Sequence, residues 1–507
     1  MNGSALKTDS EEGKHAVGDG RWVEASFMKR LQGLHKGLCI GMVGLAMASS
    51  LQAQDQSAAP LPETIPLSLL ERLEATEKRL HELEQQYQLT LPSQARNINE
   101  TAPSENPTSN TVKPSWEAGY KNGFFLHAND PKGQDYELRI NGRMQFRYTG
   151  FFRDIDEWVD QSGNVRRVTN RNDFEIERGR LEFRGHLFDP RMQYFLNLDF
   201  DTDDGQTVEA LDYWFNYVFS ESFNLHVGKA FIPGCRDWLN GTLRTRLADR
   251  SMATTFFRPD RTIGIWAQGE PSKNLFYRAM IGNGLNTNAL SPADIDTHFV
   301  YAGSMWANWG DYGQGYSDLE WHEDWVSQFG HSYANATSDG RDAVGIPLIE
   351  SNYVRLSDGT RLNQRGAITP LVTIDHFNVQ LYTVDVALKY RGFSCNGEYF
   401  FRWIQALRGN GPVNVSQIFD HGFYFEMGYF VIPHRLELNG RVSLIFGAYG
   451  DAQEYAGGIN WFFDGTHNWK FTVDLTRLNQ NPATNTGVNI RAGDDGLLLR
   501  AQLQAAF

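Results

Sequence analysis

The chain has 507 residues, a formal net charge of -14, 13% aromatic residues and 48 glycines. That acidic balance argues against a nucleic-acid partner, and a composition rich in aromatics and glycine favours strands and turns over helices. No apolar run of 18 residues occurs beyond the N-terminal region, so no bilayer-spanning helix is expected there; a barrel stays open, because its strands are individually weak hydropathy signals.

An export signal is predicted over residues 28–53. Met28-Lys29-Arg30 opens a basic region, LCIGMVGLAMA (38–48) is the apolar core, and small residues lead to a cut after Ala53. Residues 1–27 are polar and patternless, which reads as an extended signal or as sequence ahead of a true start at Met28. Cys39 falls within the signal; Cys235 and Cys395 are unpatterned and predict neither a disulfide nor a metal site.

Within 54–91, Leu69, Leu73, Thr76, Leu80, Leu83 and Tyr87 are spaced by alternating fours and threes, the seam of a short coiled coil. Alternatively this is a single solvated helix, since so short a coil is marginal alone. Residues 92–119 read as a flexible Pro/Ser/Asn-rich linker. The coil is expected on the periplasmic side, where it would help hold an oligomer or reach the cell wall.

From residue 120 to 507 the texture becomes strand-length alternation. YELRINGRMQFRYTG (136–150) sets Leu138, Ile140, Met144, Phe146 and Tyr148 against Arg139, Asn141, Arg143, Gln145 and Arg147. RGRLEFRGHLFDP (178–190) and MQYFLNLDFD (192–201) repeat the pattern, and the last stretch, LLLRAQLQAAF, does so again. Short connections such as FDPR, SES, GEPSKN, NWGDYGQG, RGFS, IPHR and DGTHN alternate with longer links at 150–173, 233–260, 282–297, 334–377 and 406–420. Roughly 16 strands in such a meander predict an all-β fold, an antiparallel transmembrane barrel of the outer-membrane type. Its final strand pairs with the first so that no edge meets lipid.

With the apolar face in lipid, Arg139, Arg143, Arg147, Arg178, Arg180, Arg184, Arg441 and Arg500 fall on the water-facing side. Glu182, Asp199 and Asp212 are their nearest acidic company. A set of permanently charged forks lowers the barrier for anions, unless acids and arginines merely satisfy one another. The link 233–260 is too long for a hairpin and carries Arg236, Arg244, Arg246, Arg250 and Arg258 against Asp237, Asp249 and Asp260. Folded inward it would narrow the pore; otherwise it is an external loop.

The segments NGRMQFRYTGFF, FEIERGRLEFRGHLFDPRMQYFLNLDF, LHVGKAFIPG, FFRPDRTIGIWAQG, GGINWFFDGTHNWKFTVDLTRL and LLLRAQLQAAF, in this order, resemble the phosphate-selective porin (porin O and P) family over roughly residues 120–507. The resemblance implies a trimeric 16-stranded barrel, an inward-folded third loop, and a basic pore passing phosphate or polyphosphate. Arg143 matches an arginine of the family's first strand. Arg178 matches one of an arginine pair on its second, where the other member is Glu177 here. Arg246 and Arg250 fall in the third-loop equivalent as constriction residues, together with Arg244 and Arg258. Lysines, which selective members use beside arginine, are scarce along the expected lining, so strict phosphate selectivity does not follow.

No other chemistry competes. DFDTDDGQ (199–206) lacks the glycine and the distal acid of a calcium loop. EWHED (320–324) lacks the second histidine of a zinc motif, and neither GxSxG nor a P-loop occurs. The sequence therefore predicts no enzyme, cofactor or resident metal. It predicts an outer-membrane diffusion channel of a Gram-negative-type cell, with an Arg-lined lumen for small anionic solutes. The alternatives are a weakly selective general porin, or a structural or adhesin barrel working through its external loops.

Overall fold

The computed structural model describes residues 115–130, 132–202, 208–285, 295–339, 353–484 and 490–507. The expected signal, the coil and most of the linker lie outside these residues. The end of the expected linker is strand instead: β1 (Ser115–Tyr120) and β2 (Phe124–Asn129) form a hairpin.

The barrel begins with β3 (Asp135–Arg153). A small hairpin, β4 (Glu157–Val159) and β5 (Val165–Arg167), sits in the first long link. Then follow β6 (Arg171–Leu187), β7 (Asp189–Asp199), β8 (Glu209–Ser220), β9 (Phe223–Phe231), β10 (Arg261–Ser272) and β11 (Leu275–Gly282). The wall continues through β12 (Val300–Trp309), β13 (Val326–Asp339), β14 (Ile374–Tyr390), β15 (Phe393–Gly409) and β16 (Gln417–Ile432). It ends with β17 (Leu436–Gly447), β18 (Ala452–Phe462), β19 (Trp469–Asn479) and β20 (Gly496–Ala506). Each strand from β6 on pairs antiparallel with the next, and β20 returns to β3, which closes a 16-strand barrel.

The seam shows how the chain end is used. Ala506 opposes Arg143, and Phe507 exchanges backbone hydrogen bonds with Gly142, its N–H donating at 2.9 Å. A Cβ on Gly142 would lie 2.5 Å from the Phe507 ring, so the glycine makes room for that ring. Where β20 stops, β2 takes over the same edge of β3, with Phe124 opposite Ile140. The Phe124 and Phe507 rings meet edge to face at 5.6 Å.

Burial is inverted relative to a soluble protein. Met144, Phe146, Phe174, Phe215, Ile265, Ile281, Val386 and Leu475 are exposed on the outside, while Gln145, Arg147, Asp212, Lys389, Glu437 and Gln502 are buried inside. Aromatic pairs such as Trp325–Tyr390 (4.3 Å) and Tyr217–Phe219 (4.8 Å) ring the short-turn end, as expected at a lipid boundary.

Two expectations need correction. The connection read as the short turn NWGDYGQG runs from 310 to 325, and Tyr312, Tyr316, Ser317, Asp318 and Leu319 are buried. Alternation also breaks at Glu177: Gln145 pairs with Arg178 but Phe146 pairs with Ile176, leaving Glu177 as an extra residue. This bulge lets Glu177 and Arg178 both enter the interior. Cys235 and Cys395 are free thiols.

Candidate functional site

The link between β9 and β10 folds into the barrel because its own composition demands burial. It holds two short helices, α1 (Arg236–Leu239) and α2 (Met252–Phe257). Ser251 caps α2 by accepting from the Thr254 N–H at 3.0 Å. Met252, Ala253, Phe256 and Phe257 are buried against β15, β16 and β17, where Phe400, Tyr424 and Ile445 supply an apolar patch inside the lumen. Phe257 and Phe400 stack at 5.2 Å. Burying each such side chain contributes about 1.5–3 kcal/mol, enough to hold a loop on a wall.

Charges then fix the loop all round. Asp249 lies 2.6 Å from Arg147 on β3, 2.7 Å from Arg178 on β6 and 3.6 Å from Arg500 on β20. Arg500 also pairs with Asp474 at 2.8 Å, whose carboxylate accepts from the Ala248 N–H. Across the lumen, Arg246 reaches Glu437 at 2.9 Å and donates to the Tyr316 carbonyl, so loop and inward turn meet there. Arg441 pairs with Glu454 at 2.5 Å and donates to the Asp249 carbonyl. Burial pushes the Asp249 carboxyl up, but the guanidiniums of Arg147, Arg178 and Arg500 outweigh it and hold the group at about 2.

What the loop leaves open is a cavity of about 940 Å³, bounded mostly by β3, β6–β11 and the loop itself. Its lining carries nine arginines, seven acidic residues and no lysine. Most of the acids are matched: Glu177 with Arg147 and Arg178, Asp199 with Arg180 at 2.8 Å, Asp212 with Arg261 at 3.0 Å, and Asp260 with Arg258 at 3.4 Å. Among the described residues, Arg143, Arg184, Arg244, Arg250 and Arg278 line the cavity without a carboxylate at ion-pair distance. Arg250 donates to the carbonyls of Asp237 and Asn240, and its guanidinium lies 4.6 Å from the Trp238 ring. Burial pushes Arg250 down to about 10, which leaves it charged at neutral pH. Arg258 stacks on the same indole at 3.6 Å, an attraction of about 1 kcal/mol or more when desolvated.

The twelve arginines expected from sequence to line or constrict the pore fall in three places. Arg143, Arg178, Arg180, Arg184, Arg244, Arg250 and Arg258 line the cavity. Arg147, Arg246, Arg441 and Arg500 are buried in ion pairs that fasten the loop. Arg139 stays at the short-turn rim, bonded to Glu137 and the Lys121 carbonyl. Arg261 and Arg278 also line the cavity and were not named from sequence; Arg278 sits 5.1 Å from the Trp266 ring. Arg278 is the one charged residue of β11 (LFYRAMIG), whose two faces are both otherwise apolar, so alternation gave no signal for it.

Of the motifs weighed for other chemistry, DFDTDDGQ lies outside the described residues from 203 on, and His322 of EWHED has structural employment. Asp318 accepts from the Gly392 N–H and pairs with His322 at 2.5 Å, which fastens the inward turn.

Among solved structures, an anion-selective porin from Comamonas acidovorans matches at 10% identity over 73% of this chain and 100% of that chain, with a TM-score of 0.46. OmpT of Vibrio cholerae matches at 11% identity over 73% of this chain and 98% of its own, TM-score 0.44. OmpF of Salmonella typhi, in complex with daunomycin, matches at 11% over 77% and 100%, TM-score 0.45. At such identity and superposition these proteins carry no argument about function. No curated protein matches in sequence. The model of the family described as phosphate-selective porin O and P matches residues 143–507, from the first barrel strand to the last residue, and the chain belongs to that family.

Proposed function

We propose that the protein is an outer-membrane diffusion channel that favours small anions, phosphate and polyphosphate among them. Family and fold support the channel. The observation that carries the anion preference is the surplus of unmatched charge: among the described residues, Arg143, Arg184, Arg244, Arg250 and Arg278 face the cavity without an ion pair, against Glu182 and Glu209. An entering anion exchanges part of its water for guanidinium donors, weakly enough to leave again. The constriction belongs to the wall of loop 233–260 nearest β6–β10, where Arg244, Arg250 and Arg258 project, rather than to Arg246. The long loops face outward from the cell and the short turns face the periplasm, with the N-terminal coil on that side. The assembly is a homotrimer embedded in outer-membrane lipid, and solutes cross without covalent chemistry.

The test is the reversal potential of the purified protein in planar bilayers across a KCl gradient, followed by added phosphate. Anion selectivity with phosphate reducing the chloride current supports the proposal. Anion bias without block leaves a general basic porin, and a cation preference overturns it. The general porin has one observation in its favour: acids and arginines alternate closely along the lining, which weakens discrimination.

A further inference from the structure

The short-turn rim carries a cluster that solute passage does not use. There β1, β2, β3 and β6 lie side by side, and their register places Glu117, His127, Glu137 and His186 in one row across four strands. Directly opposed residues of antiparallel strands bring their Cβ atoms to about 4.5–5.5 Å on one face. The row therefore alternates carboxylate and imidazole. Asp135, two residues before Glu137, comes onto the same face. Its Oδ1 lies 2.5 Å from His127 Nε2 and 3.3 Å from His186 Nε2. One donor atom from each of His127, Asp135 and His186 lies within 4.8 Å of the other two. His186 Nε2 is enclosed yet makes no hydrogen bond of acceptable geometry. Glu137 is taken by Arg139, at 2.7 and 3.4 Å, which keeps it beside the three rather than among them.

We propose that His127, Asp135 and His186 bind one divalent transition-metal ion of the zinc class. Two imidazoles and one carboxylate suit zinc, nickel or copper, whereas calcium and magnesium require shells of oxygen. Three protein ligands leave the remaining coordination to water. The proton now shared between His127 and Asp135 departs when both become ligands. The ion joins three strands, of which β2 belongs to the hairpin that extends the closing edge beyond β20. Its role is a rim staple that fastens this hairpin to the first two barrel strands. His127 and Asp135 lie eight residues apart on paired strands and His186 lies on the next strand along, so the strand register assembles them.

The full-length protein, folded in detergent and stripped with a chelator, is titrated calorimetrically with Zn2+ alone and separately with Ca2+. The expected result is one Zn2+ per chain, an affinity at least about 30-fold weaker in both His127→Gln and His186→Gln, and no comparable Ca2+ binding. Heat-modifiable gel migration shows that each variant still forms the barrel; if a histidine variant does not, Asp135→Asn, expected to weaken binding equally, takes its place. Absence of saturable Zn2+ binding by the folded wild type overturns the proposal. So do affinities within threefold of wild type in the folded variants, or Ca2+ binding as tight as Zn2+.

Discussion

Asp249 and Arg147 meet at 2.6 Å, both fully enclosed, and so join the middle of an inward loop to the first strand of the barrel. Arg178 and Arg500 approach the same carboxylate from the neighbouring strands on either side. One loop residue thus holds three wall arginines across the closing seam. Removing it would leave those guanidiniums buried with fewer counter-charges, and breaking a buried pair from one side costs about 3–5 kcal/mol.

Asp249→Asn is therefore expected to destabilise the barrel by about 3 kcal/mol and to raise open-channel noise as the loop loosens. Thermal unfolding in detergent and single-channel recordings check the two effects together. A midpoint equal to wild type would show that Glu177 and Asp474 suffice for these arginines.

The pH dependence has a definite sign. Asp249 is held down at about 2 in the folded protein, below the usual aspartate value of about 3.9. Its contribution is complete above the unfolded value and is lost as pH falls through the folded one. The gap in thermal midpoint between wild type and Asp249→Asn should stay constant from neutral pH to about pH 5 and shrink between about pH 4 and 2. A gap that closes already at pH 6 contradicts the assignment.

Arg244 and Arg246 are two residues apart but predict opposite phenotypes. Arg244 lines the cavity without an ion pair, whereas Arg246 is enclosed beside Glu437. Arg244→Ala should lower the anion-to-cation permeability ratio about twofold, because a unit charge roughly 8 Å from an ion in water-like surroundings contributes about 0.5 kcal/mol. Its thermal midpoint should not move. Arg246→Ala should cost about 3 kcal/mol of stability by stranding Glu437. Reversal potentials and unfolding curves on both variants test the division.

The inward turn 310–325 is expected to restrict flow at the short-turn end. Gln314 lines the cavity, and Ser317 bonds to Glu437 at 3.1 Å beside the Arg246 contact with the Tyr316 carbonyl. Replacing residues 311–324 by a two-residue Asn-Gly turn should raise single-channel conductance. Unchanged conductance would mean the turn lies beside the path rather than in it.

The barrel was legible because most strands alternate an exposed apolar face with a largely polar enclosed one, a period that survives without any knowledge of neighbours. Even the strand ending at Ala506 shows it. The arginine site was legible only as a set. Periodicity can assign a side chain to the interior, but Arg143 and Arg147 share that face and differ in whether an acid from another element reaches them. Loop 233–260 has no period at all, so the distinction between Arg244 and Arg246 waits on tertiary contacts. Glu177 was hidden by a bulge, since one inserted residue exchanges the two faces. The glycines of NWGDYGQG read as a tight turn, whereas the buried residues that follow them draw the chain inward.

In the proposed channel, loop 233–260 would act as an insulating septum. Its apolar helix packs on β15–β17, its ion pairs reach β3, β6, β17 and β20, and the open space lies along β3 and β6–β11. On that reading the strand count would not set the current: resistance would concentrate in an eccentric slit whose charged walls are the septum and a few adjacent strands. An applied voltage would then fall mainly across that slit, and the proposed constriction residues Arg244, Arg250 and Arg258 would stand where the field acts most strongly on a passing ion.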